Sequence, residues 1–437
     1  MHPPHSETQM DLTSTTRRDL LKHLALSLPA ASALGGALRA MAADAPDEKP
    51  PPVRAVTRGP QCHWRGYYDK LLFDPTNRYL LANEVDFEHR SPKADDVIRV
   101  GMIDLQDGDK WIELGSSRAW NWQQGCMLQW VPGTTGEVAW NDREGDQFFC
   151  HVVDVETGKK RTLPHPFYAL SPDGRWGVAP DFRRLNDTRP GYGYAGPADP
   201  RRSVGAPDDS GIWRLDMRTG ERTLIFSLAD AAKVPQPGGF GEGPKHWFNH
   251  LLVNTDGKRF VFLHRWSQKG QRNWLTRMFS IDADGKDPYL LIPSGRVSHF
   301  VWRDATHVTA YAGCPPTNAW KFCVFEDKSD KVEVIGEGVL NRNGDGHITY
   351  IPGTKDQWVA NDTYPDRQRN QHVHLYHIPT GRRVSVAACF QPPPYKGEWR
   401  CDTHPCASRD GRYLCFDSPQ SGQRQVYVAD ISQIVKA

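Results

Sequence analysis

HLLVNTDGKRFVFL, residues 250–263, reads as an apolar strand, a polar turn and a second apolar strand, and it decides the fold because the chain repeats it. The Asp256-Gly257 pair supplies the positive φ that a tight hairpin requires. The same grammar returns in FDPTNRYLLA (73–82), LSPDGRWGVA (170–179) and ASRDGRYLCF (407–416). Later strands of the units close on polar turns, as in VGMIDLQDG (100–108), RLDMRTGERTL (214–224) and LYHIPTGRR (375–383). Seven units begin near Tyr67, Gln124, Tyr168, His246, Ser298, Gly346 and Arg400, and predict an all-β, seven-bladed β-propeller over residues 61–437. Closing such a ring removes exposed sheet edges. Chain ends normally meet in one blade, so RQVYVADIS (424–432) is expected to be completed or flanked by the segment just after a Pro- and Ala-rich linker, 46–60. Only Ser227–Lys233 reads as a helix beyond the N-terminus.

Four histidines share one register. His250, His299, His347 and His404 each stand six residues before the turn of their unit, in HLLVNTDG, HFVWRDAT, HITYIPGT and HPCASRDG. Equal offsets put them at equal depth in successive blades, facing the central channel together. Imidazoles gathered there can bind a metal, abstract a proton, or do both. A lone histidine in such a place would more simply bond a neighbouring blade or a channel water; four at one depth point to a site.

Within that ring His299 and His404 are the leading metal ligands, with His347 next, and Cys401 and Asp402 just before His404 are further candidates. Imidazole with carboxylate or thiolate suits manganese, iron or zinc, and a thiolate would tilt the choice towards zinc. His250 with Arg265 offers a near-neutral base beside a fixed cation for an anionic substrate, with His246 as the alternative base. The insertion RRLNDTRPGYGYAG (183–196) is rich in arginine and tyrosine, and its length suits a roof over one mouth of the channel. Arg189, Tyr192 and Tyr194 are therefore expected to touch substrate, the alternative being that the tyrosines pack the loop onto the blades.

Of 437 residues, 54 are basic and 52 acidic, a balance that argues against a nucleic-acid surface. The N-terminus carries Thr16-Arg17-Arg18-Asp19-Leu20-Leu21-Lys22, then a mildly apolar stretch from Leu24 to Leu38 and small residues at Ala40, Ala42 and Ala45. That order is a twin-arginine signal over 1–45, and it predicts passage through the twin-arginine export machinery to the periplasm or beyond, with no membrane span after cleavage. Nine cysteines, an odd number, do not make a full disulfide framework, although Cys314 and Cys323 could close a small loop. Fifteen tryptophans suit either sugar-stacking surfaces or packing between blades.

Four segments, CHWRGYYDK (62–70), FNHLLVN with FLHRW (248–254 and 262–266), VSHFVW (297–302) and RCDTHPCASRDG (400–411), resemble those of the oligogalacturonate lyase family of seven-bladed propellers. CHWRGYYDK (62–70) is similar to that family's opening Cys-His followed by aromatics and a lysine, which makes Lys70 a substrate contact. FNHLLVN with FLHRW resembles the segment of the catalytic histidine, VSHFVW a segment giving a metal histidine, and RCDTHPCASRDG a segment with further metal ligands. The resemblance implies that His250 abstracts a proton, that His299 and His404 bind manganese, and that a uronate-containing oligo- or polysaccharide is cleaved by β-elimination. Two departures stand out: Asp402 occupies the place of a second histidine, and Trp399 or Arg400 that of a glutamine ligand. The family's catalytic arginine has no match, since Gly211 falls near its position. Two other readings compete, a non-catalytic propeller that binds a glycan or protein, and a redox metalloenzyme using copper.

Overall fold

A computed structural model of the protein describes residues 49–271 and 273–436, so the export signal expected over 1–45 lies outside the described residues. Seven antiparallel four-stranded sheets follow one another along the chain, as the repeats predict. Blade 1 holds Cys62–Trp64, Tyr79–Val85, Ile98–Asp104 and Lys110–Ser117; blade 4 holds Lys245–Val253, Arg259–Ser267, Leu275–Asp282 and Tyr289–Ile292. Blade 5 runs from Val297 to Val334 and blade 6 from Thr349 to Phe390. In blade 7, Cys406–Ala407, Tyr413–Ser418 and Gln425–Asp430 are completed on the outside by Val53–Ala55, in register Val53 to Ala429 and Ala55 to Tyr427. The N-terminal strand thus latches the ring. It also corrects the expected boundary: Val53–Ala55 lies inside the stretch read as linker 46–60, because the sheet continues through a segment too short and too proline-flanked to show strand periodicity.

Most of the tryptophan content belongs to the core between blades. Eight of the fifteen tryptophans are less than 2% exposed, and Trp64, Trp120 and Trp122 pack as a triplet with ring centroids 5.1–5.6 Å apart. Tilted pairs of this kind contribute about 0.5–1.5 kcal/mol each beyond their burial. The expected helix appears as Leu228–Lys233, capped by Ser227 and Asp230 in a reciprocal capping box. Cys314 and Cys323 form the small disulfide loop, and the seven other cysteines are free and buried.

The insertion leaves blade 3, which runs from Ala169 to Ser227, after Ala179 and begins with a short helix, Phe182–Thr188, capped by Asp181. Buried Arg184 fastens it: its guanidinium donates to His246 O at 2.7 Å, Asp199 Oδ2 at 3.0 Å and Gly205 O at 2.6 Å, tying the loop to blade 4. A guanidinium so fully paired is held in one geometry, and the loop with it. The axis side of the insertion therefore has a fixed shape.

Candidate metal centre and active site

The innermost strands of blades 4 to 7 place the four histidines side by side. Ring centroids step from His250 to His299 at 6.4 Å, His299 to His347 at 4.0 Å, and His347 to His404 at 4.3 Å. Regular pleating alone does not do this. The pairing register slips between Asn249 and Leu252 and again between Val297 and Phe300, so His250 and His299 sit in bulges that aim their rings at the axis. His250 and His404 take left-handed backbone, φ 48° and 45°. Beneath them Tyr67, which the loop after Trp64 throws into the channel, stacks on His250 at 5.1 Å and meets His404 edge-on at 4.8 Å.

Two of the imidazoles have one nitrogen fixed and the other bare. His347 Nδ1 donates to Asp362, at 2.9 and 3.0 Å from its two oxygens, and His404 Nδ1 donates to Gly66 O at 2.9 Å. Each Nε2 is then a lone pair, buried and without a hydrogen-bond partner. Asp402 joins them: the three ligand atoms lie within 4.8 Å of one another. Its carboxylate is buried, neither oxygen has an aligned hydrogen-bond donor, and the nearest cation is Arg400, whose Nε is 2.8 Å from Oδ2. Two orphaned lone pairs and a buried carboxylate around one point are costly unless a cation fills it. The nitrogen and oxygen set fits a divalent transition metal, with Asp362 and Gly66 O as the outer partners that orient ligating histidines.

The other candidate ligands fall outside this group. His299 borders it but is not one of the three; its Nδ1 faces Asp345 Oδ1 at 3.0 Å. Cys401 is corrected: its thiol is buried away from the cluster and pushed well up by burial, while its carbonyl accepts from Gln371 and Gln391 at 2.7 and 2.8 Å. Adjacent residues of an extended segment point to opposite sides, so Asp402 and Cys401 could not both face the axis. With the thiolate gone, the argument that favoured zinc goes too.

Beside the metal group a cavity of about 500 Å³ opens, lined among others by Arg189, Tyr192, His250, Arg265, Trp274 and His299. His250 Nε2 is 3.4 Å from Tyr67 Oη, and its Nδ1 is 3.4 Å from both Tyr168 Oη and Gln124 Nε2. Burial holds its pKa well below the usual histidine range, and the positive charges of Arg265 and Arg189 add to the effect. At neutral pH the ring is uncharged. Arg265 and Arg189 share the Trp274 ring, 5.7 and 4.6 Å from its centroid, and Arg189 also covers Tyr192 at 4.7 Å. No carboxylate among the described residues pairs with either, and the Nε of each is buried without a partner. Burial and then the Arg189 charge bring Arg265 down to about 10, so Arg265 remains a cation at neutral pH.

Three expectations are corrected here. His246 does not face the cavity: its Nδ1 accepts from His264 Nε2 at 2.9 Å, and His264 Nδ1 accepts from Arg277 Nε at 3.1 Å. The bulge after Asn249 breaks the alternation that would have put His246 and His250 on one face. Lys70 is an internal tie, donating to Tyr168 O at 3.0 Å with its ammonium against Asp69. Tyr194 packs the insertion onto the blades, stacked on Phe182 at 4.1 Å and bonded to Asn141, so only Arg189 and Tyr192 of that trio reach the cavity. The sequence reading missed Tyr67, Asp345, Asp362 and Trp274. Asp362 had no signal beyond its place at the end of a strand, whereas Tyr67 lay in a segment already singled out.

Fold and site together define a seven-bladed propeller with an axial histidine-carboxylate group and a cationic cavity. Among solved structures, the fold is similar to that of an oligogalacturonate lyase in complex with manganese, at a TM-score of 0.61 and 15% identity over 88% of this chain and 94% of the other. It is also similar to an oligogalacturonate lyase from Vibrio parahaemolyticus, at 0.59 and 13% identity over 87% and 93%. No family model and no curated protein matches the sequence. The likeness agrees with the resemblance read from the motifs, and at these identities it is a likeness of fold.

Proposed function

We propose that the protein is a metal-dependent lyase that cleaves uronate-containing oligo- or polysaccharides by β-elimination, and that it acts in the periplasm or outside the cell after twin-arginine export. The observation that carries this reading is a cavity lined by a neutral imidazole and two guanidiniums without a counter-ion, with a three-residue cation site next to it, His347 lying 4.0 Å from the cavity-lining His299 between ring centroids. Two like charges held together in a low-dielectric wall call for an anion. A sugar carboxylate supplies it.

A carboxylate against Arg265 and Arg189 is held by charge-assisted hydrogen bonds, and the charge developing on it as C5 loses its proton is stabilised there. The proton passes to a ring nitrogen of His250, a C4–C5 double bond forms, and the C4–O bond breaks with its electrons leaving on oxygen. His347, Asp402 and His404 would hold the metal, manganese being our choice and zinc the alternative; bound, it supplies Lewis-acid stabilisation of the same carboxylate. Substrate also prepares its own base. Burial, the larger cause of the low His250 pKa, persists in the complex, but the part due to Arg265 and Arg189 is offset when the carboxylate arrives, which makes His250 a stronger base than in the empty cavity.

The test is release of unsaturated uronide from polygalacturonate, ulvan-like and glucuronan chains by the manganese-loaded protein, followed by ultraviolet absorbance. Carboxyl-reduced versions of the same chains should not be cleaved, since nothing is left to acidify C5. Absence of unsaturated product from every uronate chain, with the metal bound, would overturn the lyase reading.

A further inference from the structure

The cavity has one wall that the chemistry above does not use. In blade 5, Tyr311 and Trp320 stack at 5.2 Å with ring planes 17° apart, and Tyr311 also meets its cross-strand partner Phe322 in a tilted contact at 5.0 Å. Tyr311 and Trp320 both line the cavity, and Trp320 is 40% exposed in a protein that buries most of its tryptophans.

The stack is built by the sheet. Gly313 pairs directly with Trp320, so the two share a face with Tyr311 two residues earlier. A side chain at Gly313 would occupy the space of Asn318 Oδ1, 1.8 Å from where its Cβ would stand. The bare position is taken by the Asn318 amide, which holds the turn that carries Trp320. Arg296 is fastened to the same corner, its carbonyl accepting from Gly313 N at 2.9 Å and its guanidinium donating to Asn318 O at 3.2 Å. Arg296 also lines the cavity.

We propose that this corner is a second sugar subsite: a pyranose ring lies on the Trp320–Tyr311 stack with its carboxylate against Arg296, while the reacting uronate occupies the Arg265–Arg189 pocket. The aromatic face matches the apolar face of a sugar ring, and the guanidinium at its edge selects an acidic one. The substrate is therefore a chain of two or more uronic acid units, and single uronates bind weakly. This inference rests on the uronide reading.

The experiment is calorimetric titration of metal-loaded His250→Ala protein, which binds without turnover, with mono-, di- and tetragalacturonate. Affinity should rise from mono- to tetrasaccharide. Adding Trp320→Ala should weaken tetrasaccharide binding about three- to tenfold, the loss of one stacked ring, and leave the monosaccharide unchanged. Trp320→Phe should recover most of the loss, and Arg296→Gln should weaken the longer ligands with a dependence on salt that the aromatic variants lack. A preference for length that persists undiminished in both Trp320→Ala and Tyr311→Ala overturns the subsite while the uronide reading stands. If no uronide of any length binds, the uronide reading itself falls, and the subsite with it.

Discussion

Asp362 is the residue on which the proposed metal centre leans most, and replacing it with asparagine separates metal binding from folding. Its two oxygens accept from His347 N at 2.7 Å, His347 Nδ1 at 2.9 and 3.0 Å, Thr403 Oγ1 and His404 N at 3.1 Å. Burial opposes the charge, but His347 and these hydrogen bonds outweigh it and hold the carboxyl below its usual range. An amide of the same shape must turn its NH₂ towards one side. Whichever oxygen it replaces, a backbone N–H, of His347 or of His404, loses its acceptor, which costs about 1–3 kcal/mol of stability in the metal-free protein. The tautomer of His347 is no longer enforced, and the loss of such an outer partner weakens metal affinity about ten- to hundredfold. Asp362 also contributes stability above the unfolded carboxylate pKa, lost as pH falls through its lower folded value, so the acid limb of the stability curve should flatten in Asp362→Asn. Metal affinity by chelator competition and metal-free stability by urea unfolding give the two numbers independently. Affinity within about twofold of the parent would show that His347 is not a ligand.

His250→Ala should lower turnover about a hundredfold or more while bound metal, measured by elemental analysis, stays constant; wild-type turnover would leave His299 as the imidazole to test next. Arg265→Gln should raise KM and, because Arg265 helps depress His250, move the acid limb of the kcat/KM profile to higher pH. An acid limb that stays in place would dissociate the two. In His347, burial works against the proton but Asp362 prevails and raises its pKa, so in the metal-free protein its contribution is full below the unfolded value of about 6.5 and fades as pH rises through the folded value. Metal must displace that proton, so the gap in melting temperature between loaded and metal-free protein should widen from about pH 6 to pH 8. A gap independent of pH would contradict the assignment.

The repeats made the fold legible because a propeller blade is a local unit: HLLVNTDGKRFVFL carries its strands, turn and face in fourteen consecutive residues. The histidine depth was legible for the same reason, being an offset within one unit. What could not be read were contacts between blades and breaks in alternation. His246 looked equivalent to His250 because an even spacing implies one face, and only the bulge after Asn249 separates them. Asp362 reaches His404 from the neighbouring blade, and Arg189 meets Arg265 across the insertion, pairings with no counterpart in sequence spacing. Lys70 failed differently. A resemblance placed it at the opening motif, but Tyr168 O and Asp69 consume its ammonium before it can face a ligand.

The backbone at two of the axial histidines supports the proposed enzyme over a propeller that only binds. His250 and His404 hold left-handed φ where glycine would be relaxed, and such positions cost about 1–3 kcal/mol each unless their surroundings impose them. Here they are imposed: His250 N is bonded to Asn249 Oδ1 at 2.9 Å and His404 N to Asp362 at 3.1 Å. A binding surface gains nothing from strain that turns imidazoles inward, away from the rim where a partner would dock. The copper reading meets a different obstacle. Two nitrogens and a carboxylate without a thiolate or thioether give no soft ligand to favour a reduced copper ion, whereas the cationic cavity next to them has no part in electron transfer. A site that stores strain to orient a neutral imidazole, keeps two arginines without a carboxylate beside it and leaves the Nε2 of His347 and His404 bare supports the proposal of an anionic substrate that must lose a proton.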